Sequence, residues 1–127
     1  MEDGPTITHG SMPWGAGFVA TRAAGASEVV DPRHSAAGEI RETYARYPHI
    51  GPVLPAIGYD AAQLEALRET LDRVPADLVV AATPVDLTRL IPLDKRVVRA
   101  RYEFAETSGP SLGAIVDAWV FRALQTR

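Results

Sequence analysis

Short apolar runs alternate along the chain with stretches of helical period. "DLVVAATP" (Asp77–Pro84) is the clearest strand, a continuous apolar run closed by a turn signal. "GPVLPAIGY" (Gly51–Tyr59) reads as a buried strand weakened by Pro55, because proline donates nothing to a ladder. "SEVVD" (Ser27–Asp31) predicts a short strand, and "RVVRARYEF" (Arg96–Phe104) an alternating one nearer an edge. Between them, helices are expected over Ala16–Gly25, Ala36–Tyr47 and Asp60–Val74, with a short turn over Asp86–Ile91. The Asp60–Val74 segment is the best of these. Asp60 is a natural N-cap, and Leu64, Leu67, Leu71 and Val74 form one stripe. Pro110–Gln125 predicts a closing helix.

Strands alternating with helices indicate an α/β fold, and unbroken apolar strands indicate a sheet covered on both faces. The expectation is a three-layer, mostly parallel sheet of about four strands with helices on both faces. At 127 residues one domain, 1–127, accommodates it. The sequence shows neither an internal repeat nor a low-complexity tract.

Composition narrows the function. A net charge of −3 argues against general binding to nucleic-acid backbones. Without cysteine there are no disulfides, thiolate nucleophiles or cysteine-bound zinc. No apolar run approaches the ~20 residues of a membrane helix. The acidic, glycine-rich start does not resemble a signal peptide. These features fit a cytoplasmic protein with no nucleic-acid or membrane partner.

In an open parallel sheet, ligands bind beyond the carboxyl ends of the strands. That places weight on three loops, Glu2–Gly17, Asp31–His34 and Thr83–Asp86, expected along one edge. Glu2 and Asp3, before Gly4-Pro5-Thr6, suit a hydrated Mg²⁺, which takes one or two carboxylates plus water and phosphate oxygens. On spacing alone, a polar turn with a capping aspartate is the preferred reading of the same residues. Thr8, His9 and Ser11, with backbone amides near Gly10, Gly15 and Gly17, can approach an anion at the start of the helix near Ala16. His9 suits a proton donor, phosphate contact or phosphoryl acceptor, or is an exposed loop histidine. Arg33 suits a clamp on phosphate or carboxylate, or a solvated turn charge. His49, in "YPHIG", reads as a loop residue near Pro48. Asp86, with Thr83, reads as a nucleobase acceptor or as a cap on the turn behind it. Arg99, Arg101 and Glu103 share one strand face, a solvated edge or a partner contact. There is no Walker A sequence "GxxxxGK[ST]".

"EDGPTITHG", "MPWGAG", "VDPR", "YPHIGPVLPAIGY", "TPVDLTRLI" and "VVRARYE" together resemble the predicted P-loop GTPase family related to cyclic 2,3-diphosphoglycerate synthetase. The likeness runs from Glu2 to about Glu106. It implies a longer protein with an upstream P-loop domain, of which this chain is the C-terminal portion. A split gene, a truncated gene or a misplaced start would each produce such a chain. It implies Mg²⁺ with GTP or ATP, held in part by Glu2 and Asp3, with Asp3 and His9 in catalytic positions. Thr6, Thr8, Gly10, Gly15, Gly17 and Arg33 would lie on the nucleotide or phosphate side. Thr83 and Asp86 would lie near the base, although "TPVD" departs from Asn-Lys-x-Asp. The implied function is a nucleotide-dependent enzyme, GTPase or ligase-type, inactive alone. Its partner would be a P-loop-bearing fragment or a second copy, and its ligand a nucleotide or phosphorylated small molecule. A non-catalytic phosphate-binding or interaction module, or a gene remnant, is the alternative.

Overall fold

Strand β1 (Glu2–Asp3) lies against β2 (Pro55–Ala56) in parallel, with Glu2 opposite Pro55 and Asp3 opposite Ala56. The structure is a computed structural model, which describes residues 1–125. A second parallel pair joins β3 (Leu78–Ala81) to β4 (Arg96–Arg99), with Leu78 opposite Arg96 and Ala81 opposite Arg99. The helices are α1 (Gly4–Thr8), α2 (Ala16–Ala23), α3 (Gly38–Arg46), α4 (Ala61–Arg73) and α5 (Leu112–Gln125). Single 3-10 turns cover Pro32–Ser35 and Leu87–Arg89.

The fold is α/β with parallel pairing, as the alternation predicts. It is not the expected three-layer sheet of about four strands. The two pairs remain separate two-stranded sheets, joined at a bridge between Glu2 and Ala82. The reasons are local. Pro55 has no N–H for a ladder, and β2 extends over only two residues of the predicted Gly51–Tyr59. Ser27–Asp31 forms no strand. Asp31 instead turns the chain, its side chain accepting from the Arg33 N–H at 3.0 Å. The alternating run after β4 leaves the sheet at Ala100.

Helix α4 keeps its predicted start. Asp60 accepts from the Gln63 amide at 2.9 Å, and Gln63 reaches back to the Asp60 amide, a reciprocal capping box. Its stripe is buried, with Leu67, Leu71 and Val74 all inside and Leu64 packed at the margin. Ile7, Ile40, Ile50, Val79 and Ile91 complete one core between the helices and the paired strands. Gly4 is required where α1 leaves β1, because a Cβ there would sit 2.3 Å from the Ala56 carbonyl oxygen.

Helix α5 contributes nothing to this core. Its Leu112, Ile115, Val116, Trp119, Val120, Phe121 and Leu124 are all exposed, as are Tyr102 and Phe104 before it. Among the described residues, no helix is long and apolar enough to cross a membrane.

Leu67 is fully buried at the centre of the α4 stripe. Leu67→Ala is expected to lower unfolding free energy by about 2–5 kcal/mol in urea denaturation, through lost burial and the cavity left behind.

Candidate functional site

Among the described residues Glu2 is the one buried carboxylate, 2% exposed. Helix α2 begins after Gly15, which has no side chain to cap it. The N-terminal amides are met from β1 instead. Glu2 Oε2 accepts from the Gly17 amide at 3.2 Å, and Oε1 from the Phe18 amide at 2.6 Å. A capping oxygen normally serves those positions, and negative charge there complements the helix dipole. The glycines let it approach. A Cβ on Gly15 would lie 2.6 Å from Glu2 Oε2, and one on Gly17 would lie 2.6 Å from the Ala82 Cβ. The stretch that reads as an anion cradle therefore holds the chain's own carboxylate. Asp3, half-buried, accepts only a long bond from the Thr6 hydroxyl, 3.3 Å.

Two of the three sequence-predicted loops share an end of the sheet. The parallel register puts Gly4 and Thr83 beyond the carboxyl ends of β1 and β3. Asp31–His34 lies by the loop before β2, and it reaches the opening loop only through Gly51, whose amide donates to the Pro13 carbonyl at 2.6 Å. The Ala37 amide just beyond it donates to Thr70 in the last turn of α4, and α4 runs into the amino end of β3. Arg33 is engaged inside the protein. Its guanidinium pairs with Asp31 at 2.7 Å and donates to the carbonyls of Gly51, at 3.2 Å, and Ile50. It also lies over the Tyr44 ring, 4.9 Å from the centroid. The result is a weld between the Pro32–Ser35 turn and the loop before β2.

Asp86 caps the Leu87–Arg89 turn. One carboxylate oxygen accepts from the Thr88 amide at 3.2 Å and hydroxyl at 2.7 Å, and the hydroxyl bond is the first cause holding its pKa below the usual range. Thr83 is buried and its hydroxyl donates to the Val85 carbonyl at 3.0 Å. Gly10 packs on α1, where a Cβ would strike the Thr6 carbonyl oxygen at 2.2 Å.

Beyond the carboxyl ends of β1 and β2 opens a cleft of about 300 Å³ between α1 and α3. Thr8 and His9 line one wall, and Glu39, Glu42 and Arg46 the other. The hydrogen bonds fix the His9 tautomer. The Thr8 hydroxyl has one proton, and it goes to the Gly4 carbonyl at 2.7 Å. The 3.0 Å contact between that hydroxyl and His9 Nδ1 is then donated by Nδ1–H, which turns Nε2 away from Thr8. Tyr47 packs between His9 and His49, with ring centroids 5.9 and 6.1 Å away. His49 Nε2 donates to the Ile7 carbonyl at 2.6 Å and so ties α1 to the loop after α3. No motif marks the charges at 39, 42 and 46; only their helical spacing does. Among the described residues, no group of three or more metal-ligating side chains is placed to hold a metal ion.

No family model matches the chain, and no solved structure matches it. A curated relative does. The chain is 49% identical over 119 residues, 94% of its length, to arginine synthetase ArcE of Thermococcus kodakarensis. It spans only 27% of that relative's length. The chain is thus homologous to part of a larger enzyme whose name differs from the one suggested by the sequence motifs.

Tyr44 supplies a test of the weld. Its hydroxyl donates to the buried Val53 carbonyl at 2.7 Å. Burial raises its pKa well above the ordinary tyrosine value, with Arg33 opposing the shift. Tyr44→Phe strands that carbonyl and is expected to cost about 1–3 kcal/mol near pH 8. Unfolded tyrosine ionises above about pH 10 while folded Tyr44 keeps its proton, so this part of the wild-type stability is lost as pH rises beyond that point. The gap between the two proteins in urea midpoint should therefore narrow from pH 8 to pH 11.

Proposed function

We propose that the chain forms part of a nucleotide-dependent, ligase-type enzyme, and that its share is the cleft beyond β1 and β2 with the adjoining Asp3. The observation that carries this reading is the 49% identity to arginine synthetase across nearly the whole chain. The cleft's position supports it, because parallel α/β folds bind ligands at the carboxyl ends of their strands. The motif resemblance supports the finer proposal of kinship with the P-loop family related to cyclic 2,3-diphosphoglycerate synthetase.

The acidic pair divides its work. Glu2 has both oxygens occupied by α2 amides and fits a structural part. Asp3, half-buried and lightly bonded, is the carboxylate that fits a Mg²⁺. When bound, the ion would supply charge neutralisation at nucleotide phosphates. Asp3 would fix its position from the end of β1, and Thr83 and Asp86 would stand on the neighbouring strand end. His9, with Nδ1 committed to Thr8, would present Nε2 to take or give a proton. Without a Walker A lysine the chain has no group to grip the β- and γ-phosphates. The partner would bring that grip.

The apolar surface of α5 favours an assembly reading as well. A helix with Trp119, Phe121 and Leu124 all more than 60% exposed is suited to packing against another surface. We assign that surface to the remainder of the larger architecture.

Purified alone, the chain should turn over neither ATP nor GTP. Mixed with the part of the Thermococcus kodakarensis relative outside the match, it should raise nucleotide turnover. Asp3→Ala should cut that stimulation at least about tenfold, equivalent to a loss of ~1.4 kcal/mol. Deleting residues 101–127 should abolish it while leaving the urea transition of the core. Steady turnover by the chain alone, lost in Asp3→Ala, would contradict the need for a partner. A mixture in which the chain forms a complex yet stimulates nothing would contradict the ligase-type reading.

A further inference from the structure

The line of β1 continues past Met1 into a mostly apolar slot of about 550 Å³. Its flanks are the residues before β2, Pro52–Leu54, and the amino-terminal part of β3, Leu78–Val80. Val29 and Val30 line it from the loop before the Pro32–Ser35 turn, and Leu71 and Val74 from the end of α4.

Strand β1 sets the width of this slot. The Met1 amino group donates to the Val80 carbonyl at 2.6 Å, and the Met1 carbonyl accepts from the Ala82 amide at 3.0 Å. On the other side the Glu2 amide donates to the Leu54 carbonyl at 2.9 Å. The two flanks thus stand on either side of one strand, two ladder spacings or about 10 Å apart, backbone to backbone. A helix, about 10–12 Å across with its side chains, would overlap both. A single extended chain fits.

The backbone of both flanks faces such a chain. Along a strand, successive residues turn their N–H and C=O groups to opposite sides. Ala81 turns toward β4, its carbonyl accepting from the Ala100 amide at 2.9 Å, so Val80 and Leu78 turn toward the slot. Met1 takes the Val80 carbonyl, and the Val80 amide and Leu78 carbonyl face the space beyond it. On the other flank the amide of buried Leu54 has no partner among the described residues. A buried donor left unpaired is costly, and a neighbouring strand is what ordinarily meets it. The side chains of β3 agree. Val79 is 7% exposed on the core face, whereas Leu78 on the opposite face is 42% exposed.

We propose that this slot takes one extended apolar segment from the remainder of the larger enzyme, inserted parallel between β2 and β3 in line with β1. The proposal rests on the reading of the chain as part of such an enzyme, and it names the contact. The chain spans only 27% of its relative's length, so most of that architecture lies outside the match. Extending the register of β1 backwards puts the last residue of the segment opposite Val53 and the one before it opposite Val79. The Leu54 amide then donates to the carbonyl of the last residue, and the Val80 amide to that of the one before. Apolar side chains line the slot from the α4 end and from the Val29–Val30 loop, so the segment that fits is a continuous apolar run. Main-chain bonds supply the affinity and the apolar lining the selectivity.

Fluorescence anisotropy with a labelled peptide, Lys-Lys-Ser-Val-Ile-Val-Val amidated at its end, tests this on the whole chain without nucleotide. The peptide should bind in the micromolar range. Methylating the amide nitrogens of its last two residues removes their ladder donors and should weaken binding at least about tenfold. Leu78→Lys brings a charge to the slot at an exposed position. It should weaken binding at least about fivefold and keep the wild-type urea transition. With peptide bound, hydrogen exchange should slow at least about tenfold at the Leu54 and Val80 amides and stay unchanged at Ala100, which is already bonded to Ala81. Absence of binding, equal binding of the methylated peptide, or protection confined to α5 would each overturn the proposal. A dimer in light scattering with both amides already protected would also overturn it, because a second copy would then be the occupant. Peptide binding without stimulated nucleotide turnover removes the nucleotide-dependent reading alone. Stimulated turnover without peptide binding removes the slot assignment alone.

Discussion

One carboxylate, that of Glu2, joins the parts of this fold. Its backbone amide donates to Leu54 at 2.9 Å, its register position lies opposite Pro55, and it bridges to Ala82 on the other side. Its side chain caps α2. A single residue thus connects both strand pairs and a helix. Burying an ionised group is costly unless its hydrogen bonds are met, and here two amides with the α2 dipole meet them. The glycines at 15 and 17 are the steric condition for that contact.

The cleft depends on this junction. Gly4, next in the chain after Asp3, starts α1 in contact with the Ala56 carbonyl, and α1 carries Thr8 and His9 into the cleft wall. The opposite wall is positioned by α3, which packs on α4. The Arg33–Tyr44 weld and the His49 bond to Ile7 hold the intervening loop. Arg33 is therefore among the side chains that fix geometry, whereas His9 faces the cleft.

Periodicity made α4 legible, since its cap, its stripe and its length all follow from local residues. The segments that became β2, β3 and β4 were legible as strands but not in extent, while Ser27–Asp31 forms none and β1 at Glu2–Asp3 was read as loop. Pro55 was visible as a weakness, whereas the failure of Ser27–Asp31 came from a local Asx turn that an apolar pair cannot reveal. The glycine-rich opening suggests only that backbone amides there can approach an anion. Its occupant, a carboxylate fifteen and sixteen residues upstream of the amides it serves, is set by tertiary packing. Asp86 followed the local alternative and caps its turn. Arg33 found partners in Gly51 and Ile50, far along the chain, that no local pattern discloses. The wall at 39, 42 and 46 lacks any motif, so only the placement of α3 across from His9 marks it as a candidate.

The most direct test of the central claim is the urea unfolding free energy of Glu2→Gln beside that of Asp3→Asn. An amide at position 2 loses the negative charge and can turn a donor toward the α2 N–H groups. If Glu2 is the joint, its substitution should cost about 1–3 kcal/mol, as for stranded hydrogen bonds at a buried site. Asp3→Asn should stay within about 0.5 kcal/mol of the wild type, as at a position with little local bonding. Equal stability of the two variants and the wild type would contradict the account.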